Sequence, residues 1–192
     1  MPALGLTLSS DGVGVVSLVG GESTGKSTLA EALGAALPAV VVDETLRRFV
    51  TDRGRVPTAG EQRDVMMTQI AREAAAKEEA ALAGRPWVVS DGGALMTAVY
   101  SIVYYRDDSL LETALAHHQG CALTVLCDSD FAWQSDEGQR DGPQARDEAQ
   151  QVLLGLAGRR DLPLLTASGS IDDRVAQVVA ALEQRGRVTG GP

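Results

Sequence analysis

Residues 20–27, Gly-Gly-Glu-Ser-Thr-Gly-Lys-Ser, fit G-x-x-x-x-G-K-[ST] at every fixed position. That pattern demands a strand, a tight loop and a helix in succession. The glycines let the backbone curl until successive N–H groups face inward and form a nest for phosphate oxygens. Lys26 is placed to reach β- and γ-phosphates, and the Ser27 hydroxyl to ligate Mg²⁺. The flanks agree with the loop. Val13–Val19 is a β-branched apolar run of strand length. Thr28–Leu33 reads as a helix whose N-terminal dipole adds to the anion site. A chain with 21 glycines can match such a pattern by chance, but chance does not supply the flanking elements in order. The implied ligand is a nucleoside triphosphate cradled by Gly20, Gly21, Glu22, Ser23, Thr24, Gly25, Lys26 and Ser27.

The rest of the chain extends this unit. Ala39–Asp43, Trp87–Asp91, Cys121–Cys127 and Leu162–Thr166 read as four further strands. Thr58 is placed to cap a long helix over 59–82, which Gly84-Arg85-Pro86 ends. Another helix starts near Pro143, and 172–185 carries an apolar stripe through Val175, Val178, Val179 and Leu182. Strands alternating with helices predict an α/β fold, a parallel sheet covered on both faces, with ligands at the carboxyl ends of its strands. Gly20, Asp43, Asp91 and Asp128 all fall at such ends. At 192 residues one domain is expected over 1–192, with 1–12 and 186–192 frayed.

Composition narrows the partners. Hydrophobic content of 44% and charged content of 22% are ordinary for a globular chain. A net charge of -9 argues against a nucleic-acid binder, which presents a basic face. No run of 18 apolar residues is present, so no membrane span is expected, and the N-terminus lacks a signal-peptide pattern. Cys121 and Cys127 lie an even number of residues apart in one apolar run. In a strand they would share a face beyond bridging distance, so they read as reduced core residues, and the expected compartment is the cytoplasm.

Several residues could carry chemistry. Asp91 closes an apolar strand, where a Walker-B-type carboxylate would hold Mg²⁺ directly or through water; the competing reading is a helix N-cap before Gly92-Gly93. Asp43 and Glu44 end the second strand, where a carboxylate could accept the proton of an attacking hydroxyl or merely favour a helix dipole. Glu44 is slightly the better candidate for the base. The polar segment 128–146 is a candidate lid, with Arg140 and Arg146 placed to close over a triphosphate; a solvated surface loop is the alternative. His117 and His118 read as helix-end dipole partners or solvated side chains, with no metal ligand at suitable spacing. Tyr100, Tyr104 and Tyr105 read as core or pocket wall, as does Trp87. Arg47 and Arg48 face either an anionic acceptor or water.

Taken together, these residues resemble the nicotinamide-riboside-kinase domain of NadR-type bacterial proteins and the stand-alone ATPase/kinase family built on it. The likeness spans roughly Val15 to Leu182. It rests on the loop Gly20–Thr28, on Glu44, Arg47, Phe49 and Val50 after the second strand, and on Gln69 in the long helix. Asp91 with Thr97, Trp133 with Asp136 and Arg140, and the turn Gly169-Ser170…Arg174 complete it. The chain departs from the family at Gly93, where a second acid is common, and at Ala132, where a proline is usual. The resemblance implies a five-stranded P-loop kinase fold that uses ATP and Mg²⁺ to phosphorylate a small hydroxyl-bearing, nucleoside-like substrate. It also implies that Thr28 belongs to the phosphate loop and that residues around Ser168 to Ser170 touch adenine. Related folds often dimerise, though nothing in the sequence marks an interface. The alternative from another class is a nucleotide-dependent regulatory ATPase that hydrolyses slowly and has no acceptor. A GTPase is disfavoured by the lack of an Asn/Thr-Lys-x-Asp run, and a hexameric motor by Gly92 where a catalytic Glu would follow Asp91.

Overall fold

β1 (Gly14–Val19) is buried along its whole length, as a central strand covered on both faces must be. In the computed structural model, which describes residues 12–130, 143–160, 162 and 164–189, it pairs in parallel with a strand on either side. The element order is β1, α1 (Lys26–Ala36), β2 (Ala39–Val42), α2 (Thr45–Arg53), a 3₁₀ turn (Ala59–Glu61) and α3 (Gln62–Leu82). Then follow β3 (Trp87–Asp91), α4 (Gly93–Tyr105), α5 (Leu111–His118), β4 (Leu123–Cys127), α6 (Pro143–Arg160), β5 (Leu164–Ala167) and α7 (Ile171–Thr189). The sheet is five-stranded with order β2-β3-β1-β4-β5, and every pairing is parallel.

Alternation along the strands sorts the core into two sides. Val16 and Leu18 of β1 pack with Leu29 and Leu33 of α1 and Val178 and Leu182 of α7. Val13 and Val15 face the opposite way, against Ala76 and Ala80 of α3. The apolar α4, Met96 and Val99 included, joins α3, α5 and α6 on that side. Among the described residues no helix is long and apolar enough to cross a membrane.

The five expected strands are present, with shifts of register at their ends. β4 starts at Leu123, because Cys121 still closes α5 through its N–H to His118 O (2.9 Å). The cysteines therefore do not share a face: Cys121 packs with Val15 and Val40, Cys127 with Val16 and Leu18. Both are buried and free, and burial pushes both thiols up, Cys127 to about 11. Thr58 does stand at the start of the long helix. Its N–H and hydroxyl both donate to Glu61 Oε2 at 2.8 Å, and the first turn is 3₁₀ before α3 proper. β5 is displaced to 164–167, and α7 continues through Gly186 to Thr189.

Candidate active site

The loop after β1 has the form its glycines allow. Gly25 caps α1 in the left-handed region with φ 79°, and Ser23, with φ 59°, is one of two non-glycine residues at positive φ among those described. A serine held there is strained, which is common where backbone amides must converge. Lys26 is buried, and its ammonium donates to Gly20 O and Gly21 O, each at 2.9 Å. Thr24 Oγ1 donates to Gly21 O at 2.8 Å. Ser27 is half-buried in the first turn of α1 and Thr28 exposed beside it.

Glu44 and Asp91 converge on this loop. Glu44 is the N-cap residue of α2, yet its side chain makes no capping bond. Its carboxylate turns inward, so that a Cβ on Gly92 would lie 3.2 Å from Glu44 Oε1. Burial raises the Glu44 pKa above its ordinary 4.5; Lys26 and Arg47 oppose the shift and Asp91 adds to it. Asp91 is buried, and its Oδ1 has no hydrogen-bond partner among the described residues. Gly92 (φ 80°) rather than Asp91 stands at the N-cap of α4. An unpartnered buried carboxylate oxygen costs stability unless something cationic fills the space before it. Asp43, by contrast, points to solvent and pairs with Arg72 at 3.8 Å. Of the two acids after β2, only Glu44 reaches the site.

Gly93 explains one departure from the family pattern. It has φ 58°, and a Cβ there would fall 2.9 Å from Ser17 Oγ. A side chain at this position would be strained by the positive φ and would crowd Ser17.

Between α2, the Val56–Pro57 segment and α4 lies a pocket of about 200 Å³ that opens onto the loop. Tyr100, Tyr104 and Tyr105 wall one side, and Glu22, Glu44, Lys26 and Arg47 supply its charge. The Tyr100 and Tyr104 rings sit 5.9 Å apart, and Tyr105 donates its hydroxyl to Pro57 O. The tyrosines are thus pocket wall, while Trp87 packs into the core beside β1. Arg47 lines the pocket; Arg48 faces a separate cleft with Arg72 and Asp52.

α6 closes the other side of the loop. A Cβ on Gly21 would meet Arg146 Cγ and O at 2.7 Å. Gln150, one turn on, accepts from Gly21 N (3.4 Å) and donates to Cys127 O (3.3 Å). Of the two candidate lid arginines, Arg146 lies against the loop; Arg140, Trp133 and Asp136 lie outside the described residues. Beyond β5, Ser168 is pinned by Gln177, which accepts from its N–H (3.2 Å) and donates to its carbonyl (2.9 Å). The Ser170 hydroxyl donates to Asp173 Oδ2 at 2.6 Å. The cap on α7 is reciprocal: Asp173 N–H donates to Ser170 Oγ (3.2 Å) and Ser170 N–H to Asp173 Oδ2 (3.1 Å). With Ser168 N–H on Gln177 and Gly169 N–H on Asp130, every backbone N–H of 168–170 has a partner.

Sequence reasoning missed what lies beneath the site. Gln69 accepts from Thr45 N (2.9 Å) and donates to Glu73 (3.2 Å) and Ser90 (3.1 Å). Ser90 donates to Glu73 Oε1 at 2.6 Å, and His117 Nε2 meets Glu73 Oε2 at 2.6 Å. His118 is buried against Thr124 Oγ1 at 2.7 Å, and burial lowers its pKa to about 4. Both histidines stand in the last turn of α5, the expected dipole-partner position, but neither is freely solvated. Their partners lie on α3 and β4; the i, i+4 spacing of Gln69 and Glu73 was the only local hint of the network. Among the described residues no cluster of three His, Cys, Asp or Glu could hold a metal.

A family profile described as "AAA domain" matches residues 15–174. The chain belongs to this AAA-domain family. No curated protein matches it by sequence. Among solved structures, a NadR protein in complex with NR is similar over 90% of this chain and 49% of that one, with TM-score 0.73 and 17% identity. A NadR protein in complex with NAD and AMP-PNP gives TM-score 0.69 and 16% identity over the same shares. Thymidylate kinase from Ehrlichia chaffeensis gives TM-score 0.61 and 11% identity, over 88% of this chain and 98% of that one. These likenesses establish a NadR-like P-loop kinase fold for this member of the AAA-domain family. The chain spans about half the length of the NadR proteins it matches.

Proposed function

We propose that this protein transfers the γ-phosphoryl group of ATP to a hydroxyl of a small nucleoside-like acceptor, with nicotinamide riboside the first to test. One observation carries the reading: Lys26 of the phosphate nest and Glu44 line a tyrosine-walled pocket together, with Asp91 near enough to act on Glu44. A hydrolase that signals by conformation needs the nest but has no use for such a pocket. The pocket combines aromatic faces with two carboxylates, Glu22 and Glu44, and two cations, Lys26 and Arg47. Aromatic walls with a few convergent polar groups suit a small molecule that has a flat ring and hydroxyl groups.

In this reading the acceptor hydroxyl attacks Pγ, a new O–Pγ bond forms, and the bond from Pγ to the bridging oxygen breaks. Glu44 takes the hydroxyl proton, a role its raised pKa suits. Lys26 leaves its two loop carbonyls and neutralises the β- and γ-phosphates. Arg146, lying on Gly21, offsets charge that develops in transfer, and Arg140 is proposed to join it from the lid. Ser27 and Asp91 would hold Mg²⁺, for which the unpartnered Asp91 Oδ1 is suited; bound there, the ion offsets phosphate charge. Loop 168–170 is proposed to meet adenine.

Incubation with ATP, Mg²⁺ and a nucleoside panel, read by mass spectrometry, tests this. A phosphorylated nucleoside formed by the wild type and not by a folded Lys26→Ala variant is the expected result. ADP formation indifferent to every acceptor would instead identify a regulatory ATPase.

A further inference from the structure

Arg174, in the first turn of α7, is the largest side chain with no exposed surface among the described residues. Its guanidinium donates to three backbone carbonyls on three different loops. Nη1 donates to Thr24 O at 2.8 Å, Nε to Gly169 O at 3.1 Å and Nη2 to Asp128 O at 3.2 Å. Nη2 also pairs with Asp130 Oδ1, whose other oxygen accepts from Gly169 N at 2.6 Å. A buried charge is costly unless fully paired, so so complete a set of partners marks a geometry held on purpose. The loops joined are those after β1, β4 and β5.

The grip on Thr24 has a direct consequence. In a trans peptide the carbonyl and the next N–H point in opposite directions. Arg174 draws Thr24 O down toward α7, which aims the Gly25 N–H the other way, into the phosphate nest. The same fork fixes Gly169 and, through Asp130, the start of the lid segment. A lysine in its place supplies one point charge and cannot satisfy three carbonyls in a plane.

We propose that Arg174 is a positioning residue for nucleotide: it orients the Thr24–Gly25 peptide toward phosphate and holds loop 168–170 at a fixed distance from the nest. The proposal rests on the reading that ATP lies between those two loops. Arg174 touches neither the transferring phosphoryl group nor the acceptor pocket, so its loss weakens nucleotide binding and spares turnover.

Calorimetry with ATP·Mg²⁺ and with inorganic tripolyphosphate·Mg²⁺, on wild type, Arg174→Lys, Arg174→Met and Asp130→Asn, tests it. For either Arg174 variant the expected result is an ATP affinity lower by about 10–100-fold, from loss of charge-assisted bonds that aim the site. Tripolyphosphate should weaken too. ADP release at saturating ATP, with nicotinamide riboside as acceptor, should keep kcat within about threefold while KM for ATP rises. Arg174→Lys should recover part of what Arg174→Met loses. If neither Arg174 variant folds, Asp130→Asn keeps the three carbonyl contacts and should weaken ATP by about 3–10-fold. A folded variant that melts lower yet binds ATP as the wild type does overturns the proposal, as does a fall in kcat at unchanged KM. Wild type that binds neither ligand refutes the nucleotide reading itself.

Discussion

Glu44 sits in surroundings that disfavour its charged form. Burial and the nearby Asp91 raise its pKa, while Lys26 and Arg47 restrain the rise. A base set this way titrates closer to neutrality than a free carboxylate. The acid limb of kcat/KM should therefore lie above pH 4.5 and disappear in Glu44→Gln, with a rate loss of about 10²–10⁴ and ATP binding kept. An acid limb unchanged in Glu44→Gln would remove it as the base. The same residue fixes a sign for stability. The folded chain holds this proton more tightly than the unfolded one. The contribution of Glu44 is thus greatest below pH 4.5 and is lost as pH rises through the raised value. Glu44→Gln should melt above wild type at pH 8 and show no such gain at pH 4, by differential scanning calorimetry. The order Asp43-Glu44 at a strand end shows that an acid is near the site. Which one points in is not local: Asp43 faces solvent beside Arg72, 28 residues beyond Glu44, whose guanidinium also donates to the Asp43 carbonyl.

At the level of elements, α5 shows the opposite titration. His118 is walled in by Thr124 and Cys121, with Glu73 and His117 the charged or titratable groups that act on it, and burial lowers its pKa from 6.5 to about 4. The unfolded chain accepts a proton near pH 6.5 that the folded chain refuses until about pH 4. Its contribution is intact above pH 6.5 and is lost as pH falls through that window. Roughly 3–3.5 kcal/mol is at stake. His118→Gln should flatten the fall in unfolding free energy between pH 6.5 and 4, measured by urea titration at each pH; an unaltered slope would mean that other groups set it. None of this was legible locally. A helix ending in His-His before an apolar run looks like a solvated terminus, because Glu73 and Thr124 belong to other elements. The strands themselves were legible, since all-apolar β-branched runs fit only a sheet covered on both faces. Their ends were not: a two-residue slip at β4 placed Cys121 in a different part of the core from Cys127.

The whole molecule explains why the phosphate loop was readable and the acceptor pocket was not. The loop is contiguous, and each of its residues acts through local backbone geometry. The pocket takes Glu22 from the loop after β1, Glu44 and Arg47 from the start of α2 and its tyrosines from α4, brought together only by the β2-β3-β1-β4-β5 order. A ligand at the strand ends therefore bridges loops that the sequence keeps up to 150 residues apart, as the Arg174–Thr24 bond already does. Binding of that kind favours the folded state over the unfolded one. With ATP·Mg²⁺ at a hundred times its Kd the folded state should gain about 2.7 kcal/mol. For a chain of this length that corresponds to a melting temperature higher by about 5–10 °C. Lys26→Ala should melt near the unliganded wild type and show little of this rise, because the nest loses its cation. Glu44→Gln should keep the rise in full, because it removes an unfavourable charge near the phosphates. If both variants lose the shift equally, the carboxylate holds nucleotide rather than acting on the acceptor, and its role as base must be given up.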